Sequence, residues 1–148
     1  MQSGRRVALD YGSVRIGVAV SDSSGLLASP YDNFQAQSPE LSGLISNFLK
    51  EYQPIYIVVG NPRHLSGESS AKSESVLQFI ELLKTITDAP IYLLDERLTT
   101  VSAARSLKDS GLSTKESRSL IDSAAAVAIL ENAMNQERLQ GAPSKDRA

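Results

Sequence analysis

Apolar residues along this chain follow first a strand-like spacing and then a helical one. Val7, Ala8 and Leu9 form a short run from Arg6 to Asp10 that predicts a strand, and Asp10-Tyr11-Gly12-Ser13 supplies a turn. Ile16 to Val20 predicts a second strand, interrupted by Gly17 and closed by Ser21-Asp22-Ser23-Ser24-Gly25. Leu26 to Phe34 predicts a third and weaker strand, in which Pro30 indicates an edge or a bulge. Together these read as an antiparallel meander. After Ser38-Pro39 the spacing changes, because Leu41, Leu44, Ile45, Phe48, Leu49 and Tyr52 define one helical face. Pro39 stands where a first-turn proline is tolerated. Ile55 to Val59 is nearly continuous in apolar residues, as in a strand covered on both faces. The polar segment Gly60 to Ser70 leads to a second amphipathic helix with Val76, Phe79, Ile80 and Leu83 inward.

Ile91 to Leu94 is the next buried strand and ends in Asp95-Glu96. Two short helices follow, Thr99 to Ser110 and Ser113 to Leu120, with Gly111 as terminator. Ile121 to Met134 is Ala-rich and almost wholly apolar from Ala124 to Leu130, so it packs on most sides. Gln140 to Ala148 is polar, contains Gly141 and Pro143, and reads as a frayed tail. The order βββαβαβαα predicts an α/β fold, a mixed five-stranded sheet flanked by helices. Residues 1–138 form one domain and 139–148 a flexible C-terminal tail, with no repeat or linker.

Composition narrows the chemistry. A chain of 148 residues, 41% hydrophobic, can bury a core as a single unit. Without cysteine there is no disulfide framework, thiol nucleophile or thiolate metal site, which fits a reducing cytoplasm. One histidine, His64, excludes multi-histidine zinc sites. The N-terminal MQSGRRVALDYG lacks a secretory pattern, and no run approaches the ~18 apolar residues of a spanning helix. A soluble cytoplasmic protein without membrane contact is expected. The formal charge of −2 and pI of about 5.4 argue at first against a polyanionic partner.

Three carboxylates stand where open sheets place functional groups. Asp10 ends the first strand, Glu96 ends the last, and Asp122 opens the most buried helix. Ligands in such sheets bind outside the carboxyl ends of the strands. Convergent carboxylates repel one another unless a hard cation neutralises them. Oxygen-only ligation selects Mg²⁺ or Mn²⁺, and two such ions suit in-line phosphodiester displacement. Each acid also has a plainer explanation. Asp10 suits a turn, Asp122 lies at capping-box spacing from Ser119, and Glu96 can pair with Arg97 or Arg105. Alternation places Asp95, the competitor of Glu96, on the opposite face with Leu93 and Ile91.

DYGSVRIGVAVSD (Asp10 to Asp22), DERLTT (Asp95 to Thr100) and IDSAAAVAIL (Ile121 to Leu130) together resemble the three motifs of the YqgF/RuvX family. That family is described as pre-16S ribosomal RNA nucleases and, in older usage, as Holliday junction resolvases. The resemblance runs from about Val7 to Met134. It implies a ribonuclease H-like nuclease domain in which Asp10, Glu96 and Asp122 bind the metal. It further implies hydrolysis of phosphodiester bonds in pre-16S rRNA maturation, with structured RNA, branched DNA or pre-ribosomal particles as partners. GNPRHLSG (Gly60 to Gly67) is similar to a family loop that more often reads Gly-Leu-Pro, and here Asn61 replaces the apolar residue.

Arg15, Arg63, Arg97 and Thr99 are the candidates to hold nucleic acid, with Arg105, Lys108, Lys115 and Arg118 as further cations. A solvated helix face explains the basic run from Arg97 to Arg118 equally well, and Thr99 and Thr100 also suit a helix cap. Few aromatics are present, so recognition through backbone and charge fits better than base stacking. A glycine hairpin after a strand-end Asp also opens the actin-like ATPases and sugar kinases, which makes an ATP-binding phosphotransferase module the rival reading. A non-catalytic ribosome-assembly factor is the third, and oligomeric state is not legible. Setting the three acids aside leaves fifteen basic residues against fourteen acidic ones, so the acidic pI does not exclude a nucleic acid held locally.

Overall fold

The computed structural model describes residues 2–61, 71–95, 114–144 and 146–148. Strands β1 (Arg6–Tyr11), β2 (Arg15–Ser21) and β3 (Ala28–Gln35) form the expected meander. Helix α1 (Leu41–Tyr52) leads to β4 (Tyr56–Asn61), and helix α2 (Ala71–Ile86) leads to β5 (Ile91–Asp95). Each of these two strands joins the sheet in parallel, β4 beside β1 and β5 beside β4. Helix α3 (Thr114–Gln140) and a two-residue strand β6 (Asp146–Arg147) complete the described chain. The strand order is β3-β2-β1-β4-β5-β6, so β1 lies inside the sheet with a partner on each side.

Alternation along the strands divides the core in two. Val7, Leu9, Ile16, Val18, Ile57, Val59 and Ile91 point to one face, where Ile45, Phe48 and Leu49 of α1 and Val76, Phe79, Ile80 and Leu83 of α2 cover them. Ala8, Ala19, Tyr56, Val58 and Leu94 point to the other, under Ala126, Ile129, Leu130, Ala133 and Met134 of α3. Small side chains on the sheet and along the α3 stripe let the helix backbone approach closely. Continuous apolar runs in β1, β2 and β4 follow from having cover on both faces.

Several expectations are corrected. Leu44, assigned to the inner face of α1, is 41% exposed. Pro39 precedes the N-cap Glu40 and so stands outside the helix. The helices expected over Ser113 to Leu120 and Ile121 to Met134 are one helix, because no glycine or proline interrupts the segment. The frayed tail is also replaced by structure. Helix α3 continues to Gln140, and β6 pairs antiparallel with β5 as a sixth strand. Ser144 donates its hydroxyl to the Leu93 carbonyl, and the Ala148 N–H donates to the Ile91 carbonyl at 2.8 Å. Polar composition had suggested solvent there, but the edge of β5 offers the backbone a partner. The helix expected over Thr99 to Ser110 lies outside the described residues.

Candidate active site around Asp10

Asp10 stands near the C-terminal end of β1 and is only 9% exposed. Its neighbour Ala8 packs under α3, so alternation puts Asp10 on the α3 face. Tyr11 points the other way and meets the Phe79 ring at 4.9 Å between centroids. The strands beside Asp10 carry no side chain at its level, and the backbone there is buried. Gly17 lies directly across on β2, at an irregularity in the pairing of β2 with β3. On the other side β1 and β4 pair as far as Leu9 and Val59, so Gly60 is the next residue beside Asp10. Gly60 in turn pairs with Leu94, which also faces α3. Glycine on both neighbouring strands brings backbone, and no side chain, up to the Asp10 carboxylate.

The hairpin that follows is closed by the Gly12 N–H donating to the Arg15 carbonyl at 3.0 Å. A Cβ on Gly12 would stand 2.5 Å from that same oxygen, so only glycine fits. Arg15 is the first residue of β2 and shares the face of Gly17 and Asp10 by alternation. Of the predicted nucleic-acid residues it is the one that the described structure brings to the Asp10 face. Arg63, Arg97 and Thr99, with Glu96, Arg105, Lys108 and His64, lie outside the described residues.

Asp122 belongs to α3, and the reading of it as a helix-opening residue is corrected: the helix begins at Thr114, two turns earlier. Capping therefore does not explain Asp122. It precedes Ser123, whose hydroxyl donates to the Tyr31 carbonyl at 3.3 Å. Tyr31 pairs with Val18 and Val18 with Leu9, so this part of α3 lies at the level of the end of β1. Asp95 ends β5 opposite Asn61, and Glu96 is the next residue in the chain. Among the described residues no three His, Asp or Glu gather into a metal-binding group. The donor available at Asp10 is a carboxylate oxygen in a chain without cysteine, which fits a hard divalent cation.

Sequence reasoning missed two features. Gly60 had a signal, since it closes the apolar run of β4. The second is a buried cluster at the opposite end of β1. Arg6, fully buried, donates through Nε and Nη2 to the two carboxylate oxygens of Glu137 at 3.0 and 2.9 Å. Tyr56 donates its hydroxyl to Glu137 at 2.9 Å. Burial opposes the charge on Glu137, but the hydrogen bonds from Arg6 and Tyr56 outweigh it and hold its pKa below the ordinary value. Burial raises the Tyr56 hydroxyl strongly, and its bond to the carboxylate adds to the effect. The signal was an acid placed one turn beyond Ala133 on the apolar stripe of α3.

Comparison with known proteins gives this geometry a context. A protein of Streptomyces coelicolor named "Putative pre-16S rRNA nuclease" is 43% identical over 145 residues, 97% of this chain and 87% of the relative. One of the same name from Nocardia farcinica is 43% identical over 142 residues, covering 90% of this chain and 78% of the relative. Among solved structures, RuvC of T. thermophilus in complex with a Holliday junction substrate superposes with a TM-score of 0.61 at 14% identity, covering 97% of this chain and 99% of that one. The expected ribonuclease H-like fold is thus confirmed. The family model described as "RuvX: Holliday junction resolvase" matches residues 4–136, and the chain belongs to that family.

Proposed function

We propose that this protein is a divalent-metal-dependent endonuclease that hydrolyses phosphodiester bonds in the 5′-end maturation of pre-16S rRNA. The carrying observation is the setting of Asp10, a carboxylate largely withdrawn from water on an interior strand, with glycine on both neighbouring strands. The names of the relatives point to the same substrate. The nuclease domain extends past residue 138 to take in the end of α3 and strand β6, and the protein works in the cytoplasm on structured RNA within pre-ribosomal particles.

Asp10, Glu96 and Asp122 would hold Mg²⁺ or Mn²⁺, as two ions. Bound there, the ions supply an activated water and neutralise charge on the leaving oxygen. The protein's own groups do the rest. Low exposure of Asp10 limits competition from bulk water for its oxygens. Gly17 and Gly60 put no side chain between the sheet floor and a phosphate. Arg15, on the same face, meets phosphate charge, and Arg63, Arg97 and Thr99 extend that contact along the backbone of the substrate.

The test compares wild type with Asp10→Asn on pre-16S RNA and on branched DNA, with Mg²⁺, Mn²⁺ or chelator. Wild type cleaves RNA only with metal, and Asp10→Asn loses that activity. Equal cleavage by both proteins overturns the role of Asp10. The family's description and the RuvC likeness favour a second reading, a Holliday junction resolvase, which predicts paired cuts in branched DNA by a two-fold dimer. Binding of ATP with Mg²⁺ and intact polynucleotides would indicate the phosphotransferase module. Metal-independent binding to pre-ribosomal particles without cleavage would indicate an assembly factor.

A further inference from the structure

We propose that the buried cluster of Arg6, Glu137 and Tyr56 is a positioning device that sets how far α3 lies along the sheet, and so holds position 122 at the level of the Asp10 end of β1. The inference rests on the reading that these two acids share divalent cations. Helix α3 runs opposite to β1: Glu137 stands over Arg6 at the start of the strand, and Ser123 lies at the level of its end. Fifteen residues separate Glu137 from Asp122, a lever of about 22 Å along the helix axis at ~1.5 Å per residue.

The contact between those ends is apolar: Ala8, Ala19, Val58 and Leu94 of the sheet lie under Ala126, Ile129, Leu130 and Ala133 of the helix, and apolar packing alone has no polar partner to lose on a shift. The helix stripe repeats as Ala126, Leu130 and Met134, each one turn from the next. A slip of one turn, about 5.4 Å, puts one apolar residue where another had been. The slip would break the hydrogen bonds of Ser123 to the Tyr31 carbonyl and of Arg138 to the Gly25 carbonyl, and its largest cost falls on the buried Glu137 carboxylate. It would leave the guanidinium of Arg6 buried without its partner and Tyr56 without its acceptor. Arg6 is itself fixed, because Nη1 and Nη2 also donate to the Gly4 and Gln2 carbonyls at 2.6 Å and its backbone N–H donates to Ser21 Oγ at 2.7 Å. A buried ion pair contributes little net stability over an apolar replacement, but it makes one register unique. The cluster therefore acts on the site through helix α3 without touching substrate.

The test is Mn²⁺ uptake, followed by electron paramagnetic resonance, alongside thermal melting. Wild type and Asp10→Asn are titrated first. Equal uptake by the two, or none by wild type, removes the metal reading and this inference with it. The double variant Arg6→Met/Glu137→Leu then replaces the pair by apolar side chains. The expected result is a melting temperature close to wild type with Mn²⁺ affinity lowered about tenfold or more, as when groups supporting a metal ligand are lost. A folded double variant with wild-type Mn²⁺ affinity overturns the inference. If that variant does not fold, Tyr56→Phe decides. It removes a single hydroxyl, and weaker Mn²⁺ binding at unchanged melting temperature supports the inference, whereas wild-type affinity overturns it.

Discussion

At the scale of single residues, what is missing beside Asp10 matters as much as the carboxylate. Gly17 contributes only backbone to the surface next to it. Gly17 is buried, so Gly17→Val should cost about 1–3 kcal/mol by overpacking and lose metal-dependent cleavage by about tenfold or more as the floor fills. Cleavage at the wild-type rate would show that the space is not used. Gly12 has a different task, closing the hairpin. Its replacement by Ala brings a Cβ to 2.5 Å from a backbone oxygen, and urea unfolding should register a loss of about 1–3 kcal/mol. Asp22 organises the next loop. The Ser24 hydroxyl, with the Leu27 and Leu26 N–H groups, stabilises its carboxylate and lowers its pKa to about 2. A depressed carboxylate stabilises the fold fully above its ordinary value of about 3.9 and loses that contribution as pH falls through the folded value. Amide exchange at Leu26 and Leu27, corrected for its intrinsic pH dependence, should stay protected at pH 4 and open as pH approaches 2. In Asp22→Ala the protection should be absent throughout.

At the scale of elements, helix α3 joins the two ends of the molecule. Removing one partner of its buried ion pair differs from removing both. Arg6→Ala strands the Glu137 carboxylate and should cost about 3–5 kcal/mol in denaturant unfolding, far more than the double apolar variant. The sign with pH follows from the lowered pKa of Glu137: the pair's contribution is complete above the ordinary glutamate range and disappears as pH falls through the folded value. The difference in stability between wild type and Arg6→Ala should therefore shrink in acid. Elements whose apolar spacing is their own were readable in the sequence: β1, β2, β4 and, Leu44 apart, the inner face of α1 stand where alternation and the helical period put them. Asp10 was readable for the same reason, because the run that makes β1 ends at it. What could not be read depends on partners distant in the chain. Glu137 looks like a surface acid until Arg6 is brought under it, 131 positions away. Asp146 and Arg147 become a strand only because β5 has an unpaired edge. Gly60 acquires meaning only when β4 is set beside Asp10.

At the scale of the whole molecule, a chain of net charge −2 must hold a polyanion with few cations, and that has a measurable signature. Each phosphate that a protein neutralises releases counterions, so the logarithm of affinity falls with the logarithm of salt in proportion to the number of contacts. A basic protein that grips nucleic acid along a broad surface shows a steep dependence. If Arg15, Arg63 and Arg97 each meet one phosphate, the slope should be only about −2 to −3, from ~0.7 per contact on single strands to ~0.9 on duplex. The measurement is RNA binding by fluorescence anisotropy over a salt series, with Ca²⁺ replacing Mg²⁺ to slow cleavage. Arg97→Ala should make the slope shallower by about 1 and weaken binding similarly across RNA sequences, because a phosphate contact positions the substrate without reading its bases. Asp10→Asn removes a negative charge, so without metal it should bind slightly more tightly than wild type and lose the gain that divalent ions give wild type. A slope near −6 would require a basic surface that three arginines do not supply. Under that outcome the other cations, Arg105, Lys108, Lys115 and Arg118, would carry the interface, and the reading of local, metal-assisted binding would fail.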